Sequence, residues 1–247
     1  MENNVITEKK ILIGTIIKNC GPYLRNLAVE IAKTNFPKEN ISLAFLENDS
    51  EDDSWKILNT KVIPFLSSFK YRKLSVAKED YGFRLKHSSR HRPEAKDQRN
   101  NCITRARQHI VNNYLQDNDY IWWVDADLKR IPQDTLRILL MYQRDCISPV
   151  YRTDDGKLYD ASSHRRGKSL KDLLTQKEVG DLMELDGTNC QALMHRRVFD
   201  TEAQFHVEGE ENSNYIQSQR MKKTGIKFYI ATKVTVIHHT ICGTKPL

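Results

Sequence analysis

The chain has 247 residues, 39% hydrophobic and 29% charged, and a formal net charge of +7. That length buries a core without disulfide or metal staples, and the composition excludes disordered and fibrous classes. No apolar run approaches the roughly 18 residues of a membrane span, and the polar start MENNVITEKK has neither a secretory nor a transit pattern, so a soluble cytoplasmic protein is expected.

Ile11 to Ile17 is a short β-branched run, followed by Gly21-Pro22 and by Leu24, Leu27, Ala28, Ile31 and Ala32 at helical spacing. This predicts a strand and then a helix. Ile41 to Leu46 predicts a second strand ending in Glu47-Asn48-Asp49, and Asp53 to Ser67 a second helix that Pro64 kinks or ends. The β-α-β-α order points to a parallel sheet wound with helices. A weaker strand is expected at Tyr71 to Val76. The segment from Arg84 to Arg107 then holds eight Lys or Arg against Glu94 and Asp97, an excess of six positive charges. So concentrated a field suits an anionic ligand or partner, and a solvated loop is the competing reading.

Ile103, Ala106, Ile110, Val111, Tyr114 and Leu115 form one face of an amphipathic helix, and Tyr120 to Val124 (YIWWV) reads as a central strand buried on both sides. A helix over Pro132 to Arg144 and a strand over Cys146 to Val150 follow, with an irregular polar segment expected from Tyr151 to Leu185. Later strands are expected at Gln191 to His195, Ile226 to Ala231 and Val234 to Ile237, and a helix around Tyr215 to Thr224 closed by Gly225. Five cysteines (Cys20, Cys102, Cys146, Cys190, Cys242), odd in number and without a CxxC pair, argue for buried thiols over a disulfide framework or zinc site.

The chemistry centres on Asp125-Ala126-Asp127, directly after YIWWV. Chance supplies roughly one Asp-x-Asp in a chain of this composition, and Asp117-Asn118-Asp119 is a second copy. Position separates them. Open α/β sheets place ligands at the carboxyl ends of central strands, where alternate residues face one way and both carboxylates can reach one hard divalent cation, Mn2+ or Mg2+. Such a cation could bridge the phosphates of a nucleotide. Arg99, Arg105 and Arg107, at the start of the preceding helix, have the bidentate geometry that clamps a diphosphate. A G-x-S-x-G elbow, a P-loop, an HExxH helix and a G-x-G-x-x-G turn are all absent.

The order of these elements, with Leu46-Glu47-Asn48-Asp49-Ser50, Arg99 with Thr104-Arg105-Ala106-Arg107, Trp123-Val124-Asp125-Ala126-Asp127-Leu128, Tyr159-Asp160-Ala161-Ser162-Ser163, Leu185-Asp186-Gly187-Thr188 and Val236-Ile237-His238, resembles a nucleotide-sugar glycosyltransferase of the GT-A fold. Within that fold it is most similar to the fungal mannan-polymerase mannosyltransferases, glycosyltransferase family 62. His164 stands where that family tends to carry tryptophan. The resemblance implies a GT-A (Rossmann-like) mixed, mostly parallel sheet flanked by helices, in one domain over 1–247 with a donor half to about residue 130 and an acceptor half beyond it. It implies that His238 completes the metal set of Asp125 and Asp127, that Glu47, Asn48 and Asp49 with Thr15 line the donor nucleotide, that Asp160 and Asp186 approach the donor sugar, and that an acid among Glu208, Glu210 and Glu211 faces the acceptor or the donor sugar. Crowded like charges raise one another's pKa, as an acid or base requires, and Glu211 then Glu210 are the first candidates beside Asp127 for a catalytic role.

The expected reaction is transfer of a hexose from a nucleoside diphosphate sugar to an acceptor hydroxyl on a glycan or another molecule, and the resemblance leans to retention of configuration. Three other readings stay open: a glycosyltransferase acting on hydroxymethylated bases in DNA, a nucleic-acid-binding protein that uses the basic run, and a metal-dependent nuclease.

Overall fold

The structure, a computed structural model, describes residues 6–84, 93–159, 163–175, 180–187, 192–201 and 219–239, with the backbone alone for 93–96. The β-branched run Ile11–Ile17 is strand β1, and β2 (Ile41–Asn48) and β3 (Lys73–Glu79) lie parallel beside it in register. Between them run helix α1 (Gly21–Ala32) and helix α2 (54–67). α2 continues through Pro64 instead of breaking there. A π-turn at Leu58–Val62 precedes the segment Ile63–Ser67, which carries the proline in its first turn.

Helix α3 (Pro93–Ile110) leads through a second π-turn, Val111–Leu115, into β4 (Tyr120–Trp123), which pairs parallel with β1. Three residues, β5 (Leu128–Arg130), follow the Asp-x-Asp turn and were not anticipated, because so short a run has no periodicity to detect. Helix α4 (Thr135–Met141) and strand β6 (Cys146–Thr153) come next. The segment expected to be irregular instead holds the hairpin of β7 (His164–Arg165) and β8 (Lys168–Ser169), helix α5 (Leu170–Leu174) and β9 (Leu182–Leu185). Its order comes from turn and cap chemistry: Arg166 and Gly167 take positive φ, and the Ser169 hydroxyl accepts from Asp172 N. After β10 (Leu193–His195), the two strands expected near the end are one, β11 (Phe228–His238), with a register shift between Ala231 and Thr235. The predicted helix before it is observed over 219–223; its earlier part lies outside the described residues.

The main sheet runs β3-β2-β1-β4-β10-β6-β11-β5, with β9 also paired to β11. β10 is antiparallel to both β4 and β6, so β3, β2, β1, β4, β6 and β11 all point the same way and share one carboxyl edge. One face packs Ile11, Ile13 and Trp122 against Leu24 and Leu27 of α1 and Leu136 of α4. The other packs Leu12, Ile121 and Trp123 with Ala106 and Ile110 of α3 and Leu170 of α5. Helices on both faces explain why the central strands are near-continuous apolar runs. Cys20, Cys102 and Cys146 are buried; Cys190 and Cys242 lie outside the described residues. No helix among the described residues is long and apolar enough to cross a membrane.

Gly14 is the tightest point of this packing. A Cβ there would stand 2.9 Å from Trp123 Cζ3 and 3.2 Å from Ile121 Cδ1, so the absence of a side chain lets the Trp123 indole lie over β1. Gly14→Ala is expected to destabilise the fold by about 1–3 kcal/mol through overpacking. Urea denaturation checks this, and an unchanged midpoint would contradict the close approach.

Candidate active site

The two Asp-x-Asp copies lie at opposite edges of the sheet. Asp119 Oδ2 accepts from Lys10 N at 2.8 Å, Asp117 pairs with Lys10 and Arg72, and Asn118 Nδ2 caps α3 through Leu115 O at 2.9 Å. Arg72, then Lys10, holds the Asp117 carboxyl down at about 2. This copy serves the entry to β4, at the amino edge.

The second copy follows the other end of the same strand, and β5 then carries the chain to β11. Leu128 stands opposite His238, Arg130 opposite Ile237, and His239 N donates to Asp127 O at 3.2 Å. That pairing brings the imidazole to the carboxylates: His238 Nε2 is 2.9 Å from Asp127 Oδ1 and 3.8 Å from Asp125 Oδ2. Asp125, Asp127 and His238 each offer one ligand atom, all within 4.8 Å of one another. The His238 side chain is 1% exposed, Asp127's 11% and Asp125's 36%, so the group is closed at the histidine and open at Asp125.

The donor set fits a hard or borderline divalent cation, two carboxylate oxygens and one imidazole nitrogen. His238 Nδ1 lies 3.0 Å from His239 O, a contact that places the proton on Nδ1 and turns the Nε2 lone pair toward the carboxylates in the neutral ring. Burial works to lower the His238 pKa, but the nearby Asp125 and Asp127 carboxylates outweigh it and raise the value to about 10. The ring is therefore an imidazolium that balances two acids, and a cation bound there would compete with the proton for one electron pair. His239, pointing the other way along the strand, meets the Tyr23 ring at 4.8 Å and does not join the group.

A feature that sequence reasoning missed covers the histidine. β6 runs on into a reverse turn at 153–156, where Gly156 has φ +83°, and the returning chain bonds Tyr159 N to Tyr151 O. The Tyr159 ring then stacks on His238, centroids 3.8 Å apart and planes 14° apart, and stays 43% exposed itself. A π-face against an imidazolium or a metal-bound imidazole is favourable and fixes the ring plane. Tyr159 opens the Tyr159-Asp160-Ala161-Ser162-Ser163 stretch, so its position was legible in the sequence although its role was not.

The donor-half candidates lie along the same carboxyl edge. Thr15 is fully buried in β1. Glu47, at the end of β2, accepts from Ser50 N at 2.8 Å and lies 3.8 Å from Lys78 Nζ. Asn48 Nδ2 donates to Asp49 Oδ2. Asp49, at φ +52°, accepts at Oδ1 from Tyr81 N and Gly82 N at 3.0 Å and from Arg84, while Lys18 Nζ donates to Asp49 O and Phe83 O. The Asp49 carboxylate thus fastens the 81–84 turn to the end of β2.

Of the basic run, Arg84 pairs with Asp49 and Asp80, Arg105 lies over the Tyr81 ring at 4.4 Å, and buried Arg107 lies 5.5 Å over Trp123. Arg99 is half-buried on α3. Asp186 accepts from Arg166 N, which holds its carboxyl below the usual range, and lies 3.5 Å from Lys222. Residues 85–92, Asp160, Glu208, Glu210 and Glu211 lie outside the described residues.

A mostly parallel, helix-flanked sheet with an Asp-x-Asp turn at its carboxyl edge is the GT-A class of fold. The mannosyltransferase PcManGT from Pyrobaculum calidifontis, solved with GDP-Man and Mn2+, matches at TM-score 0.64 and 11% identity, over 94% of this chain and 57% of that one. TarS from S. aureus, residues 1–349 with UDP, matches at TM-score 0.55 and 13% identity, over 94% of this chain and 58% of that one. At such identities the likeness is one of fold. The chain belongs to the Anp1 family, whose sequence profile matches residues 1–201. The anp1 subunit of the mannan polymerase II complex of Schizosaccharomyces pombe is 26% identical over 153 residues, 59% of this chain and 36% of that protein. The chain therefore spans under two thirds of the length of each of these relatives.

Asp127→Ala and His238→Ala are each expected to weaken Mn2+ binding at least as much as the roughly 10- to 100-fold that outer-shell changes cost. Asp117→Ala and Asp119→Ala should leave it unchanged. Titration calorimetry of the four variants checks the assignment, and equal affinities throughout would remove it.

Proposed function

We propose that this chain is a single catalytic domain that moves a hexose, with mannose the first candidate, from a nucleoside diphosphate sugar to an acceptor hydroxyl, with retention of configuration. The observation that carries this reading is the convergence of Asp125, Asp127 and His238 from two distant segments on one point of the carboxyl edge. Membership in the Anp1 family, and the GDP-Man and Mn2+ bound by the P. calidifontis mannosyltransferase, support the sugar and the donor.

Asp125, Asp127 and His238 would hold Mn2+ or Mg2+, which supplies positive charge to the donor phosphates and to the departing diphosphate. Asp125, the most exposed of the three, faces the donor side. Thr15, Glu47 and Asn48, at the ends of β1 and β2, form the nucleotide wall, which Asp49 braces through the 81–84 turn. Arg107, packed on the tryptophan that precedes the turn, and Arg105 and Arg99 on the same helix contribute fixed positive charge nearby. Asp186 and Asp160 belong to the sugar side, and an acid among Glu208, Glu210 and Glu211 to the acceptor.

The nucleic-acid readings draw no support from the described part of the basic run, because Arg84, Arg105 and Arg107 are engaged within the fold. A nuclease would need further acids at the cation, and among the described residues the group ends at three.

A panel of nucleotide sugars, assayed for metal-dependent hydrolysis and transfer, tests the proposal. GDP-mannose is expected to turn over, excess chelator to abolish the reaction, and Asp127→Asn to lower kcat by at least about the 10²-fold that loss of one electrostatic group costs. Turnover that survives both treatments would overturn the role of the cluster.

A further inference from the structure

Asp127 lies four residues past the end of β4, in a turn that β4 does not itself hold. β5, which follows it, is an edge strand of the sheet among the described residues, where it pairs with β11 alone. An edge strand of three residues is a weak support for a group whose ligand atoms must stay within a few tenths of an ångström.

The other support comes from a polar stripe on α1. Asn26 Nδ2 donates to Leu128 O at 3.0 Å and to Lys129 O at 2.9 Å. Ile131 N donates to Glu30 Oε2 at 2.8 Å, in a buried bond, while Glu30 Oε1 pairs with Lys33. The Tyr23 ring lies against His239, the neighbour of His238. Tyr23, Asn26 and Glu30 stand at i, i+3 and i+7, within roughly 60° of one another on the helix. They flank the apolar face of Leu24, Leu27, Ala28 and Ile31 that binds α1 to the sheet. Apolar packing alone would seat this helix. The three hydrogen bonds of Asn26 and Glu30 fall instead on the 128–131 backbone that follows Asp127, and the Tyr23 ring lies on the residue next to His238.

We infer that Tyr23, Asn26 and Glu30 act as a surrogate neighbour strand for β5 and are positioning residues for the Asp125–Asp127–His238 group. This rests on the reading of that group as the cation site. The helix is itself fixed from the donor side, since Gly21 N donates to Asp52 Oδ2 at 3.0 Å and Cys20 N to Ser54 Oγ at 2.8 Å. The stripe therefore links the loop after β2 to the metal turn through one rigid body.

The test uses Asn26→Ala, Glu30→Ala and Glu30→Gln, with Lys33→Ala as a control for the ion pair that Glu30→Gln removes. Two quantities are read: amide hydrogen exchange of the metal-free protein by mass spectrometry, and Mn2+ affinity by calorimetry. Asn26→Ala and Glu30→Ala are expected to speed exchange over 127–131 and 236–239 about tenfold without affecting β1 to β3, and to weaken Mn2+ binding by about tenfold, the lower end of outer-shell effects. Glu30→Gln should retain both properties, because its amide oxygen still accepts from Ile131 N, and Lys33→Ala should match the wild type. Unchanged exchange over 127–131, loosening spread through the sheet, or local loosening at unaltered Mn2+ affinity would each overturn the inference. A wild-type chain that takes up no Mn2+ overturns the cation reading instead, and is recognised because the exchange difference between Glu30→Ala and Glu30→Gln persists.

Discussion

The pairing of β5 with the end of β11 is the constraint on which the site depends. It sets His238 opposite Leu128 and ties His239 N to Asp127 O, so the imidazole reaches the carboxylates from the far end of the chain. Two acids this close repel one another, Asp127 is also largely withdrawn from water, and a counter-charge offsets both effects. The His238 ring supplies it, and the same geometry that stabilises an imidazolium offers three ligand atoms that could take a divalent cation. The cluster can therefore be held together in either state.

Everything else at the site follows from the direction of the strands. Six parallel strands bring the ends of β1, β2, β4 and β11 to one edge, where side chains are released from the sheet and the chain turns away. The same edge gathers Thr15, Glu47, the Asp-x-Asp turn and His238. At the amino edge an identical sequence pattern, Asp117-Asn118-Asp119, closes the helix-to-strand turn through Lys10, Arg72 and Leu115 O. One pattern thus has two fates, decided by which end of β4 it occupies.

Arginines of the basic run that lie among the described residues also have partners within the fold. Arg84 is bound to the acids of its own turn, and Arg105 and Arg107 lie over aromatic rings, where a guanidinium packs as a flat plate as much as it acts as a charge. A field inferred from formal charges is reduced wherever such groups are paired or buried.

The sequence by itself determined the layers of the fold and the location of the Asp-x-Asp turn. β-branched runs alternating with 3.6-residue periodicity specify a wound parallel sheet, and the fully apolar YIWWV marks its centre, so Asp125 and Asp127 could be placed at a ligand-binding edge from local pattern alone. What only the tertiary structure decided are the contacts between elements distant in the chain. β5 is too short to show a period, Tyr159 reaches His238 through a turn whose partner is remote, and Asp49 proved to be a brace for the 81–84 turn. Asn26 and Glu30 sit among apolar residues at helical spacing, where a polar side chain reads as solvent-facing until the strand it holds is seen. The resemblance already named His238, and the register of β11 against β5 supplies the physical reason it meets the carboxylates while His239 does not, since moving one residue along a strand turns the side chain to the opposite face.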